Sequence, residues 1–102
     1  MKRSKKHRDV LLQRLKNPDY AVKYLNEILE DEDPLLLLSA LKDVAEAMGG
    51  LSKLADKTNL DRANLYKILS SEGNPEFHTL LAILNALGLR FAMQEKESVS
   101  RV

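Results

Sequence analysis

Residues 51–69, LSKLADKTNLDRANLYKIL, decide the fold. They hold two short helical patterns hinged at Thr58-Asn59-Leu60-Asp61. Two helices that cross through so tight a turn make specific demands. The first helix needs a small residue where the second crosses it, and Ala55 stands there. Four residues later the chain must leave the helix, usually through a left-handed backbone. Asn59 is the best non-glycine residue for that conformation, although glycine is cheaper. Leu60 then plugs the corner and Asp61 caps the second helix. Leu65 and Ile68 point inward with Leu69 beside them, and Leu54 is the matching inward residue of the first helix. All of these positions fall at one consistent spacing, which predicts a helix-turn-helix over residues 51–70.

The outward positions of the second helix are Arg62, Ala63, Asn64, Tyr66, Lys67 and Ser70. Arg pairs with guanine, Asn with adenine, and an Ala methyl meets the thymine methyl; Tyr can reach a base edge or a backbone oxygen, and Lys reaches backbone oxygens. Arg62, Ala63, Asn64 and Tyr66 are therefore candidates for base contact, and Lys67 and Ser70 for phosphate. Ser52 and Lys53 open the first helix, where it would cross a phosphate strand. The same side chains would also make an ordinary solvated face; the hinge pattern favours DNA.

A formal charge of +1 is small for a DNA-binding chain, but it conceals a separation. Residues 1–16 hold seven Lys/Arg against one Asp, and residues 17–47 hold eight Asp/Glu against two Lys. Such blocks can prefer different partners. The basic arm, Lys2, Arg3, Lys5, Lys6 and Arg8, could follow phosphates or enter the minor groove. Equally it could solubilise the chain or pair with the acidic block. Glu27 and residues 30–33 of that block could engage a basic partner, or simply complement helix ends.

The remaining pattern is helical. The opening octet is too polar to fold alone and reads as a mobile arm, followed from Asp9 by a short amphipathic helix. Asn17-Pro18 and Asp33-Pro34 each give an N-cap followed by proline at the first helical position. Residues 35–38 are four consecutive leucines that read as core, although not all four fit one stripe, so one or two face another helix or solvent. Gly49-Gly50 stops the helix, Asn74-Pro75 marks another start, and Gly88 is a C-terminal cap. Leu89, Phe91 and Met93 alternate with Arg90, Ala92 and Gln94, which suggests a short strand. Without a partner in the chain, it either docks as extended chain or pairs with a second copy. The fold class is thus all-α, with five to six helices and a strand-like C-terminal segment. Residues 1–16 form a basic arm and short helix, 17–94 the helix-turn-helix domain, and 95–102 a polar tail.

Several function classes fall away. No cysteine means no disulfide framework and no thiolate metal site. Neither His7 nor His78 has carboxylates spaced for a metal, and no catalytic constellation is visible. No enzyme, metal or cofactor is expected. No apolar run approaches the ~20 residues of a membrane span, so a cytoplasmic protein without membrane contact is expected.

The stretch LADKTNLDRANLYKILSSEGNPEFHTLLAILNALGLRF, extended upstream through YAVKYLNEILEDEDPLLLLSALKDVAEAMGG, resembles the antidote proteins of bacterial addiction modules, a lambda-repressor-like (Xre-type) helix-turn-helix branch. The resemblance covers residues 17–91. It implies that the second helix reads operator DNA through Arg62, Ala63, Asn64, Tyr66 and Lys67, that the protein represses its own operon, and that a RelE/ParE-type toxin is its partner. A homodimer is expected because one half-site alone seldom binds tightly. Two positions depart from the family pattern: Asn59 stands at a hinge commonly Gly, and Asp61 at a cap commonly Ser or Thr. The alternatives are a toxin-neutralising interaction module with little DNA binding, and a prophage-type repressor without a toxin.

Overall fold

A computed structural model of the chain describes residues 5–31, 33–70 and 72–96. Six helices follow one another: α1 (Lys5–Leu15), α2 (Pro18–Glu30), α3 (Pro34–Ala47), α4 (Leu51–Thr58), α5 (Arg62–Ile68) and α6 (Phe77–Ala86). The architecture is all-α, and no strand occurs among the described residues.

Local chemistry sets most of the boundaries. The Asn17 side chain accepts from the Asp19 amide at 2.9 Å, and Pro18 follows as the first helical residue. Asp33 does the same for α3, accepting from Leu35 at 3.0 Å and Leu36 at 3.4 Å. Each cap satisfies amides that the first helical turn leaves without partners. Gly49 ends α3 at φ 122°, a conformation that side-chain-bearing residues rarely adopt, and the Gly50 amide returns to the Ala45 carbonyl at 2.9 Å. After α5 the chain needs glycine for a different reason. A Cβ on Gly73 would lie 1.8 Å from the Ile68 carbonyl oxygen, so only glycine lets the connector pass this close to the helix end.

Helix α3 is the centre of the molecule. It packs against α1, α2 and α4, while α4 in turn carries α5 and α6. Leu41 and Val44 are wholly buried where α3 meets its neighbours, together with Leu15 of α1. Leu65, Leu69 and Ile83 extend this core beneath the α4–α5 corner and α6. Full burial of such a side chain contributes on the order of 1.5–3 kcal/mol.

Two expectations need correction, and two that the sequence left open are settled. Helix α1 begins at Lys5 rather than Asp9, so half of the anticipated mobile arm is helical. The physical reason is Arg8, whose guanidinium reaches α3: Nη1 donates to Asp43 Oδ1 at 2.9 Å and Nη2 donates to Glu46. Of the leucine run, Leu38 is buried and Leu37 half-buried, whereas Leu35 and Leu36 are exposed, because the α3 stripe facing the core is narrower than four consecutive positions. Helix α6 starts at Phe77, two residues beyond Pro75. The alternating segment 89–94 forms no strand, since no second strand lies beside it among the described residues. Instead Leu89 packs against the core, and Phe91 stacks on Phe77 with ring centroids 6.1 Å apart.

Candidate nucleic-acid interface

The hinge between α4 and α5 sets what α5 can present. Asn59 adopts φ 60° and ψ 22°, the left-handed region, as its position predicts. The Thr58 hydroxyl steadies the departure by donating to the Leu54 carbonyl at 2.8 Å and accepting from the Leu60 amide at 3.4 Å. Asp61 is extended at φ −78° and ψ 154°, and its carboxylate accepts from the Asn64 amide at 2.7 Å. The helix N-terminus itself favours a carboxylate there. A left-handed alanine lacks the local polar compensation of asparagine. Asn59→Ala is therefore expected to destabilise the protein by about 1 kcal/mol, and Asn59→Gly to be neutral or mildly stabilising. Thermal unfolding of the two variants checks this order.

With the corner closed, α5 buries Leu65 and turns its other side outward. Arg62, Ala63, Asn64, Tyr66 and Lys67 are all exposed. Ser52 and Lys53, on the first turn of α4, are exposed as well, and α4 packs directly on α5. Ser70 differs from the others. It is half-buried, and its hydroxyl donates to the Lys67 carbonyl at 2.7 Å while accepting from the Glu72 amide at 3.3 Å. Its proton therefore serves the end of α5 instead of pointing outward.

Tyr66 carries a neighbour that the sequence does not reveal. The Lys42 ammonium of α3 sits 4.1 Å from the centre of the Tyr66 ring, and Tyr66 is still 58% exposed. A cation over an exposed aromatic face contributes on the order of 0.5–1 kcal/mol. It restrains the ring and brings a positive charge from α3 to the flank of α5. Residues 42 and 66 lie on different helices, so no local spacing links them.

The basic arm is divided. Lys5 and Lys6 are exposed on α1, whereas Arg8 is engaged with Asp43 and Glu46 of α3. Hydrogen bonding to Glu46, then to Asp43, raises the Arg8 pKa further above its ordinary value. Arg8 is thus a structural cation fixing α1 on α3. Lys2 and Arg3 lie outside the described residues. In the acidic block, Glu27, Glu30, Asp31 and Asp33 are exposed, and Asp33 also caps α3.

No helix among the described residues is long and apolar enough to cross a membrane. Comparison with known proteins adds the family. A family model described as "Probable addiction module antidote protein" matches residues 7–95. An uncharacterized protein of Haemophilus influenzae (strain Rd) is 44% identical over 72 residues, covering 71% of this chain and 73% of the relative. No solved structure matches significantly. The antidote of an addiction module implies an antitoxin role and a toxin of some kind as partner. By the extent of that family match, which takes in all of α2 to α6 and most of α1, the chain belongs to the addiction-module antidote family.

Proposed function

We propose that this protein is the antitoxin of a type II toxin–antitoxin pair and a sequence-specific DNA-binding regulator that represses its own operon. The observation that carries the DNA-binding half is the outward face of α5. The left-handed Asn59 and the buried Leu65 leave Arg62, Ala63, Asn64, Tyr66 and Lys67 exposed together. These are the chemistries that read base edges and hold phosphates. In this reading Arg62, Ala63, Asn64 and Tyr66 meet bases, while Ser52, Lys53 and Lys67 hold phosphates. Lys42 restrains Tyr66 from behind. The protein acts as a dimer on an inverted repeat, and repression follows from occlusion of polymerase. The toxin partner is of the RelE/ParE type, a proposal supported by the sequence resemblance of residues 17–91.

A mobility-shift series on the DNA upstream of the gene tests the regulator. A shift that resists unrelated competitor DNA and weakens steeply with salt is expected, because neutralised phosphates release counterions. No shift at low salt would contradict DNA binding and leave a toxin-neutralising interaction module.

A further inference from the structure

Residues 90–94 follow α6 without helix, turn or bend, and each of them is exposed. Among the described residues their amides and carbonyls make no backbone hydrogen bonds. Met93 is fully exposed, and Phe77, on which Phe91 stacks, is 65% exposed. Beside them runs a groove of about 620 Å³ of mixed character, lined by Val22, Leu29, Phe91 and Met93 together with Glu30 and Arg90. An unpaired backbone run with apolar alternation is a template for a further strand.

We propose that residues 90–94 pair antiparallel with the same residues of a second copy, with Ala92 on the twofold axis. The pairing rests on the dimeric reading above and names its interface. A twofold axis makes any strand the complement of itself, so no other chain is needed to supply a matching edge. Charge and side-chain parity then select the register. With Ala92 opposite Ala92, Phe91 faces Met93 on both sides of the axis and Arg90 faces Gln94. Phe91 and Met93 of both copies fall on one face, and the aromatic–sulfur contact is favourable. A slip of one residue would send the two apolar sets to opposite faces. Centring on Met93 would place Arg90 opposite Lys96, two like charges. Centring on Phe91 would draw Gly88 into the ladder, although it is held at φ 76° by the cap of α6.

The absence of cysteine makes the register directly measurable. In this pairing the two Ala92 Cα atoms stand roughly 4.5–5.5 Å apart, within the disulfide range of roughly 4.4–6.8 Å. The two Gln94 Cα atoms are about 14 Å apart, well beyond it. Under mild oxidation Ala92→Cys is expected to form a covalent dimer and Gln94→Cys is not. In sedimentation the native protein is expected to be dimeric, and Met93→Glu to weaken the dimer at least tenfold. Met93 is fully exposed in the single chain, so unchanged circular dichroism accompanies that loss. Three results would each overturn the pairing: a monomeric native protein, an Ala92→Cys dimer that does not cross-link, or a Gln94→Cys variant that links as readily. All of these readouts are taken without DNA. A cross-linked dimer that fails to shift upstream DNA retires the regulator and not the interface, while a monomer that shifts DNA does the reverse.

Discussion

Arg62→Ala is expected to relax recognition at a single base pair, costing about 1–3 kcal/mol of discrimination there, or roughly fivefold to 150-fold. Lys67→Ala is expected to act differently, weakening all sequences alike and making the salt slope shallower by about 0.9. The difference follows from geometry and chemistry. Both side chains are exposed on α5, so neither substitution disturbs the core. A guanidinium can form two parallel bonds to one base edge, whereas an ammonium holds phosphate as a point charge. Competition binding against single-base variants of the operator separates the two. Uniform loss from both substitutions would contradict the division of roles.

Arg8→Ala is expected to lower stability by about 2–4 kcal/mol, nearer the lower value because the Arg8 side chain is 38% exposed and solvent screens part of the interaction. Asp43 is 7% exposed and is the only buried charged residue among those described. Its carboxylate accepts from Arg8 at 2.9 Å and from the Tyr24 hydroxyl at 3.3 Å. Removing the guanidinium leaves a buried negative charge on α3 and releases α1 from Glu46 as well. Asp43→Asn in the same background removes that charge and is expected to recover part of the loss. Urea unfolding of the single and double variants measures both steps, and an Arg8→Ala protein as stable as the parent would refute the role given to this contact.

The parts of the fold that were legible in the sequence are those that local chemistry specifies. Asn17-Pro18, Asp33-Pro34, Asn59 and Asp61 each act within a few residues of themselves, so their roles could be read without knowing the fold. The inward phase of Leu54, Leu65 and Leu69 followed from helical periodicity alone. What escaped depends on distant partners. Arg8 meets Asp43 across 35 positions, and a basic octet gives no sign of which arginine will be used. Lys42 reaches Tyr66 only because α3 passes beside α5. The alternation of Leu89, Phe91 and Met93 does fit a strand, but a strand requires a partner, and the described residues of one chain provide none. Leu35 and Leu36 show the converse limit. Hydrophobicity marks them as core, whereas the direction in which α3 packs leaves them exposed. Of the candidate site, the exposure of Arg62 to Lys67 was legible because the inward residues of the same helix define the opposite face. The engagement of the Ser70 hydroxyl was not, because it depends on how the chain turns after α5.

The Arg8 contact and the Asn59 hinge serve the same end from two sides. One holds α1 on α3, and the other sets α5 on α4, so that α3 and α4 form the rigid support for the outward face. Specificity requires such support, because base-edge contacts are lost when their side chains shift by an ångström or so.

Amide chemical-shift mapping by NMR on this 102-residue chain, titrated with its upstream DNA, tests the central claim most directly. The largest perturbations are expected at residues 61–67, with a second group at Ser52 and Lys53 and a smaller response at Lys42. Perturbations confined to α1 and α2, with α5 unchanged, would contradict the claim that the outward face of α5 is where DNA is read.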